Sequence, residues 1–187
     1  MPDYIIELAQ PEHVVFLPSI ERAAAEVFPA GMIPDKVKES VMLVEYLEEA
    51  QSRGQLWVAL TAGDQPIGFA MVTDEGNEAM LAEIDVHPDH QKKGLGRRLV
   101  LEAVQWAYKA GYQGISLTTF KDIPWNAPFY ESIGFRQLNR KELSTNLHSI
   151  LNNEEKLGLT GRVAMYLDFR GVEQQDSRPV KGNLSGL

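Results

Sequence analysis

Residues 86–98 read VHPDHQKKGLGRR and join the end of an apolar strand pattern to the start of the longest helical pattern in the chain. The strand pattern ends at Val86, a turn containing Pro88 follows, and Gly94 and Gly96 precede the helix. The first turn of a helix has backbone N–H groups without intrahelical partners, next to the positive end of the helix dipole. Glycine lets an anion approach these groups without a Cβ in the way. The stretch is therefore predicted to bind a pyrophosphate group.

Basic side chains are concentrated at the same place. Four of them lie within seven residues, in a chain of net charge −8 with 26 acidic and 18 basic residues: Lys92, Lys93, Arg97 and Arg98. The local charge favours a small anion, and the acidic remainder favours a cationic or amine-bearing second substrate. Duplex nucleic acid and anionic membranes are not expected as partners. A tight turn with a solvated basic helix start is the alternative that needs no ligand.

Two familiar phosphate motifs are excluded by the glycine spacing. No Gly-Lys-Ser/Thr follows a four-residue gap, as a P-loop requires, and the Rossmann fingerprint is one glycine short. Nucleoside triphosphate hydrolysis is therefore not predicted.

Length and composition predict one domain. The 187 residues, 44% of them hydrophobic, are enough for a single core. The chain has no cysteine, which excludes disulfides and thiolate metal sites, and its four histidines show no metal-ligand spacing, so no metal is expected. There is no run of 18 apolar residues and no signal-peptide pattern, so a cytoplasmic location is expected. We expect a domain over residues 1–169 and a mobile tail over residues 170–187, where glycine, serine, proline and charge dominate.

Hydrophobic periodicity and turn residues predict an α/β chain with a mixed sheet. Strands are predicted at 4–8, 55–61, 66–73, 79–86, 114–120, 135–138 and 162–169, and helices at 11–28, 35–52, 94–110 and 124–133, with 143–157 ambiguous. Short turns make the second, third and fourth strands antiparallel neighbours. The helix between the fourth and fifth strands makes that pair parallel.

Two motifs resemble the GNAT superfamily of N-acetyltransferases. Residues 91–96, QKKGLG, match the family's Gln/Arg-x-x-Gly-x-Gly/Ala motif in full, after a Val-x-Pro strand end, and residues 130–135, YESIGF, match its Tyr-x-x-x-Gly-Phe motif. The resemblance covers about residues 4–169, firmly from 55 to 138. It implies a GNAT-like single domain: a central, mostly antiparallel sheet whose parallel fourth and fifth strands splay to hold the cofactor, flanked by helices.

The resemblance also implies acetyl-CoA as co-substrate and a set of residues that bind it. The backbone of Ile84, Asp85 and Val86 would pair with the pantetheine amides, as a strand edge accepts another strand. The pyrophosphate would lie on Gln91, Lys92, Lys93, Gly94, Leu95, Gly96 and Arg97. The family often has an asparagine seven residues before its tyrosine, but position 123 is isoleucine here, and Asn126 is the nearest amide for this contact.

Two residues are candidates for proton transfer. Tyr130 resembles the family's tyrosine that protonates the departing thiolate, with packing in the core as the alternative. Glu83 stands where many family members carry an acid that accepts the amine's proton, directly or through water; a strand carboxylate in a salt bridge is the alternative. Asp85 is expected to face away from Glu83. Three aromatic residues are expected in the core or around an acceptor site: Phe120, Trp125 and Phe129.

The predicted function is transfer of an acetyl group from acetyl-CoA to the primary amine of a small molecule. Two alternatives stay open: a non-catalytic acyl-CoA-binding regulatory module, and a protein or peptide N-acetyltransferase. A second copy of the chain, in a homodimer, is a further partner that we consider.

Overall fold

A seven-stranded sheet with helices on both faces forms the domain in the computed structural model, which describes residues 4–75 and 77–170. The strands are β1 (Ile5–Leu8), β2 (Leu56–Leu60), β3 (Pro66–Glu75), β4 (Glu78–Val86), β5 (Gly114–Phe120), β6 (Arg136–Gln137) and β7 (Arg162–Asp168). Their order in the sheet is β1-β2-β3-β4-β5-β7-β6, and every neighbouring pair is antiparallel except β4–β5. The predicted mixed sheet is confirmed. The expected tail lies outside the described residues except for its first residue, Arg170.

Six α-helices connect the strands in the described residues. They are α1 (Leu17–Ala25), α2 (Asp35–Lys38), α3 (Val44–Ser52), α4 (Leu95–Lys109), α5 (Ala127–Glu131) and α6 (Thr145–Lys156), with 3₁₀ turns at Pro11–Phe16 and Pro88–His90. The segment left ambiguous by the sequence is α6. Its N-terminus is capped by Ser144, whose Oγ accepts the Leu147 N–H at 3.2 Å.

Two of the predicted helices were wrong in extent. The helix expected over 11–28 is a 3₁₀ turn followed by α1, because Pro18 has no N–H for the bond that a continuous α-helix needs. The helix expected over 35–52 is divided into α2 and α3. The Met42 N–H lies between them and donates to Glu21 Oε2 at 2.8 Å, so this backbone is tied to α1 instead of continuing a helix.

Each face of the sheet has its own core. On one face, α4 packs its Leu99, Val100 and Ala103 against strand residues that include Ala70 and Ile115. On the other face, α1 and α3 pack against β2 and β3 through Leu17, Ile20, Leu47, Val58, Phe69 and Met71. Each buried aliphatic side chain of this kind contributes about 1.5–3 kcal/mol. The two cores hold α1 and α4 in place on either side of β4.

β4 separates from β5 soon after it begins. The parallel pairing consists of Ala79 with Ile115 and Met80 with Ser116, whereas pairing with β3 continues to Val86. A bulge in the β3–β4 register comes just after Leu81 and leaves Ala82 as the extra residue. From residue 81 to residue 86, the edge of β4 that faces β5 therefore borders a gap.

Candidate active site

The turn after β4 presents the start of α4 to a cavity of about 780 Å³. Gly94 is the N-cap of α4 and has φ +79°, a left-handed conformation that glycine adopts without strain. A Cβ at Gly94 would point into open space. The Gln91 side chain donates from Nε2 to the Val86 carbonyl at 3.1 Å, which fixes the turn to the strand end.

Backbone donors are free at this turn. In the described part of the chain, no acceptor is found for the N–H groups of residues 92–97, and the first helical bond runs from the Arg98 N–H to the Gly94 carbonyl at 3.2 Å. These donors stand at the positive end of a 15-residue helix. Lys92 and Arg97 also line the cavity. The turn therefore has the donors, the space and the charge that a pyrophosphate needs.

Lys93 is oriented differently from the other predicted phosphate ligands. Its Nζ donates to the Tyr4 hydroxyl and to the Asp89 carbonyl, both at 3.0 Å, and it does not line the cavity. A role for Lys93 in cofactor binding stays a prediction.

Most of the residues predicted to bind the cofactor meet in this one cavity. Its lining includes Ile84, Asp85, Val86, Gln91, Lys92, Gly94, Leu95, Gly96, Arg97, Asn126 and Tyr130. Ile84, Asp85 and Val86 form the edge of β4 that has left β5. Backbone groups on such an edge are available to an extended ligand.

Tyr130 stands on α5 at the side of the gap opposite β4. It is 7% exposed, and its ring has edge contacts with Phe129 and Phe135, at centroid distances of 5.1 and 5.8 Å. Burial raises the pKa of the Tyr130 hydroxyl, and the neighbouring charges of Glu83 and Asp85 raise it further. The hydroxyl therefore keeps its proton across the neutral range and is available as a donor.

Asn126 fixes the start of α5 near Tyr130. Its Nδ2 donates to Thr119 Oγ1 at 2.8 Å, so the residue before the helix is bonded to the end of β5. Thr119 was missed by the sequence reasoning, because an alternating strand pattern does not show which of its polar residues lies next to a helix start.

Glu83 and Asp85 share one face of β4, so the expectation that they face apart was wrong. Side chains two residues apart in a strand project on the same side. Their partners on β3 are Met71 and Phe69, which belong to the core under α1 and α3. Both carboxylates therefore project toward α1.

Burial is the main reason that the pKa of Glu83 rises to about 7, with the charge of Glu21 on α1 adding to it and Arg162 opposing it. Burial also raises the pKa of Glu21. Among the salt bridges of the described residues none includes Glu83, so the structural ion pair considered above is not found there. A carboxyl with a pKa near 7 is suited to accept a proton at neutral pH.

Asp85 lines the cavity, whereas Glu83 does not. The Asp85 Oδ2 atom is buried and has no hydrogen-bond partner in the described residues. Burial, followed by the charges of Glu83 and Glu21, raises the pKa of Asp85 well above its usual value. Asp85 is thus an acid in contact with the cavity whose carboxyl group has a buried oxygen without a hydrogen-bond partner in the described residues.

Aromatic side chains line part of the same cavity. Phe28, at the end of α1, lies 5.5 Å from Phe120 and 6.3 Å from Trp125 between ring centroids. Trp125 is 50% exposed, so its ring stands at the opening of the cavity. The prediction that Trp125 lines an acceptor site fits this position, while Phe120 is buried behind it.

A partly buried ion pair lies between β5, α6 and β7. Arg162 Nη2 donates to Glu154 Oε1 at 2.7 Å and to Thr118 Oγ1 at 3.1 Å, and the guanidinium lies 4.8 Å from the centre of the Phe120 ring. Neither this pair nor Glu21 was predicted from the sequence. The available signal for Glu21 was its position four residues after Leu17 and three before Ala24, on the apolar face of its helix.

No group of three or more histidine, aspartate or glutamate side chains in the described residues is arranged to hold a metal ion. None of the helices found between residues 4 and 170 has the length and apolar character needed to cross a membrane.

Known proteins give an independent comparison. Residues 17–135 match the family model described as "Acetyltransferase (GNAT) family". The chain is 29% identical over 101 residues to peptidyl-lysine N-acetyltransferase YjaB of Salmonella typhimurium, which covers 54% of this chain and 63% of that protein, slightly less than two thirds of its length. It is 31% identical over 117 residues to the uncharacterized N-acetyltransferase YvbK of Bacillus subtilis, covering 62% of this chain and 71% of that one.

The fold has a solved counterpart in the PaiA N-acetyltransferase of Thermoplasma acidophilum, whose crystal structure is a complex with coenzyme A. The TM-score is 0.68 at 20% identity, over 89% of this chain and 99% of that one. This likeness confirms the expected GNAT-like fold, with its parallel pair β4–β5. Because the family model covers more than half of the chain, the protein belongs to the acetyltransferase (GNAT) family.

Proposed function

We propose that this protein transfers the acetyl group of acetyl-CoA to the primary amine of a small molecule. One observation carries the proposal: a single cavity extends from the unpaired N–H groups at the start of α4, along the open edge of β4, to Tyr130 and the aromatic wall. Such a cavity has a place for an anionic cofactor at one end and for an acceptor at the other.

The residues present fit acetyl-CoA. The N–H groups of residues 92–97 would receive the pyrophosphate, with Lys92 and Arg97 beside it. The empty space next to Gly94 admits phosphate oxygens close to the backbone. The edge formed by Ile84, Asp85 and Val86 would pair with the amides of the pantetheine arm. When bound, acetyl-CoA would supply the acetyl thioester.

The side chains then provide the two proton transfers. The neutral amine forms the new C–N bond while the C–S bond breaks. Glu83 accepts the proton that leaves the nitrogen, directly or through a water molecule, and Tyr130 donates its proton to the departing sulfur. The pKa of about 7 for Glu83 and the raised pKa of Tyr130 support these two opposite roles.

A lysine side chain of a peptide is the second candidate acceptor. It is favoured by the similarity to YjaB, which is named as a peptidyl-lysine N-acetyltransferase. The small molecule is preferred here because the cavity near Asp85 is walled by residues of α1 and by Trp125. A non-catalytic acyl-CoA-binding module is disfavoured by the presence of both Tyr130 and an acidic pair at the gap.

The test combines binding with turnover. Titration calorimetry measures the affinity for acetyl-CoA, and release of free thiol is followed with a panel of small primary amines and with lysine peptides. The proposal expects faster release with a small amine than with any peptide. Binding without release in the whole panel would support the regulatory module, and release with peptides alone would support the peptide enzyme.

A further inference from the structure

Asp85 has a position in the cavity that the proposed chemistry does not use. The amine that is acetylated must lose its proton, and Glu83 is the base proposed for that step. Asp85 nevertheless contacts the cavity, with a buried Oδ2 atom that no donor of the described residues satisfies. A buried carboxyl group without a partner stays protonated on its own, and it becomes a carboxylate when a positive group enters beside it.

The charges around Asp85 do not include such a group. Glu83 lies on the same face of β4, and Glu21 adds a third carboxyl from α1. Two basic side chains act on this cluster. Arg22 acts on Glu21, and Arg162 acts on Glu83 with a guanidinium that is already bonded to Glu154 and Thr118. The region therefore has an excess of acid that a neutral reacting amine cannot balance.

The aromatic part of the cavity lining suits the same kind of ligand. Phe28 and Trp125 present aromatic rings beside the cavity, 6.3 Å apart between centroids. Aromatic faces attract organic cations, and they also cover the methylene groups that carry an ammonium. An alkylammonium thus has a carboxylate and an apolar wall available at the same end of the cavity.

We propose that the acceptor carries a second positive charge, which the Asp85 carboxylate binds while the amine to be acetylated lies nearer Glu83. This inference rests on the proposed function. The second charge would also remain beside Asp85 after transfer. The acetylated nitrogen becomes an uncharged amide, whereas the second nitrogen stays an ammonium. The acceptor class is a diamine or a longer oligoamine.

Strand geometry sets the spacing between the two nitrogens. Residues two apart on a strand emerge about 6.6 Å apart, at a rise of about 3.3 Å per residue. An extended chain of four methylenes, with covalent bonds of about 1.5 Å, separates two nitrogens by about 6 Å. A 1,4-diamine is therefore the simplest probe, and n-butylamine is the matched monoamine that lacks the second charge.

The experiment compares these two amines on two forms of the enzyme. Thiol release at saturating acetyl-CoA gives kcat/KM for 1,4-diaminobutane and n-butylamine, with wild type and with Asp85→Asn. We expect wild type to prefer the diamine by about 10-fold or more, as for one charge-assisted contact, and Asp85→Asn to lose that preference, so that its kcat/KM values for the two amines become nearly equal. Glu48→Gln, which removes an exposed carboxylate on α3, should keep the wild-type preference.

A binding measurement accompanies the kinetics. Calorimetric titration of 1,4-diaminobutane into wild type should show binding that Asp85→Asn weakens by about 10-fold, and an unchanged far-UV circular dichroism spectrum reports correct folding of the variant. Equal kcat/KM values for the two amines on wild type would contradict the proposal that the acceptor carries a second positive charge, but they would not contradict the proposed function. An equal loss for both amines in Asp85→Asn would contradict the second positive charge as well, since Asp85 would then act on the shared chemical step. Absence of release with every amine would instead remove the proposed function, and this inference with it.

Discussion

At the cofactor end of the cavity, the groups that would meet a phosphate come from consecutive residues between Val86 and Arg97. At the acceptor end, the lining combines Phe28 of α1, Asp85 of β4 and Trp125 before α5. The first end is mainly backbone and depends on the local geometry of a turn and a helix start. The second end consists of side chains that only the tertiary fold brings together. The cofactor end is therefore sensitive to changes of backbone conformation, and the acceptor end to changes of single side chains.

Tyr130 lies where the two ends meet, and its loss should have the largest effect. Tyr130→Phe removes the proton donor but keeps the ring contacts with Phe129 and Phe135. We expect turnover to fall by about 10²-fold, as for the loss of a general acid. Thiol-release kinetics measure turnover, and calorimetry should give nearly unchanged acetyl-CoA affinity.

Tyr108→Phe provides the matched control, because Tyr108 is half exposed on α4 and does not line the cavity. It should retain wild-type turnover. If Tyr130→Phe also retained it, Tyr130 would be a core residue and another group would protonate the sulfur.

The cofactor end can be broken alone through its glycines. Gly94→Val places a side chain in the space proposed for phosphate and also strains a backbone with φ +79°. Gly96→Val adds bulk near the Phe129 ring, which a Cβ would already approach to 3.8 Å. We expect each to weaken acetyl-CoA binding by about 10-fold or more, measured by calorimetry.

Gly111→Val separates the two causes. Gly111 has φ +87° and open space around its Cβ position, but it lies at the other end of α4, outside the cavity. This variant should carry the same backbone strain and bind acetyl-CoA normally. Wild-type affinity in both cavity variants would contradict the pyrophosphate site.

The acceptor end can be tested by pH through Glu83. Glu83→Gln should lower kcat/KM by about 10-fold between pH 7 and the pKa of the acceptor amine. Below pH 7 the Glu83 carboxyl, with its pKa of about 7, is protonated and is no longer a base; above the pKa of the acceptor the amine is already neutral. The two pH–rate profiles should therefore converge at both extremes. A variant profile that merely scales the wild-type curve at every pH would assign the base to another group.

The same variant has a second signature in stability. Because the pKa of Glu83 is raised from 4.5 to about 7 on folding, the folded protein binds more protons than the unfolded chain between these values, and it loses stability as pH rises through them. Glu83→Gln should gain stability relative to wild type across that window, by on the order of 1–3 kcal/mol. Denaturant unfolding at pH 5 and pH 8 measures the difference. A stabilising salt bridge at Glu83 would give the opposite sign.

The contrast between the two ends also explains what the sequence could predict. The turn at residues 86–98 was readable because a strand end, two glycines and a helix pattern are contiguous, and the structure brings nearly all of its predicted residues to the cavity. The orientation of Lys93 was not readable, since it depends on Tyr4, a residue 89 positions away.

At the acceptor end, the arrangement of the side chains could not be predicted from the sequence, because it depends on tertiary packing. The proximity of Glu21 to Glu83 and Asp85 depends on how α1 packs on β3 and β4, which no local pattern fixes. The bulge after Leu81 changes which β4 side chains face α1, and it appears only in the register with β3. The face shared by Glu83 and Asp85, in contrast, followed from strand alternation alone and was misassigned.

The smallest expected effect distinguishes two neighbouring lysines at the cofactor end. Lys92 lines the cavity, whereas Lys93 is bonded to Tyr4 and Asp89 on the outside of the turn. Lys92→Ala should weaken acetyl-CoA binding by about 3-fold at low salt, because an exposed charge contributes less than about 1 kcal/mol, and the loss should shrink as salt screens it. Lys93→Ala should change the affinity less and with a weaker salt dependence. Calorimetry at 0.05 and about 0.5 M salt, where the screening length falls well below 10 Å, measures both. A larger and more salt-sensitive loss of affinity in Lys93→Ala than in Lys92→Ala would contradict this assignment. It would mean that the Lys93 side chain leaves Tyr4 and binds the cofactor directly.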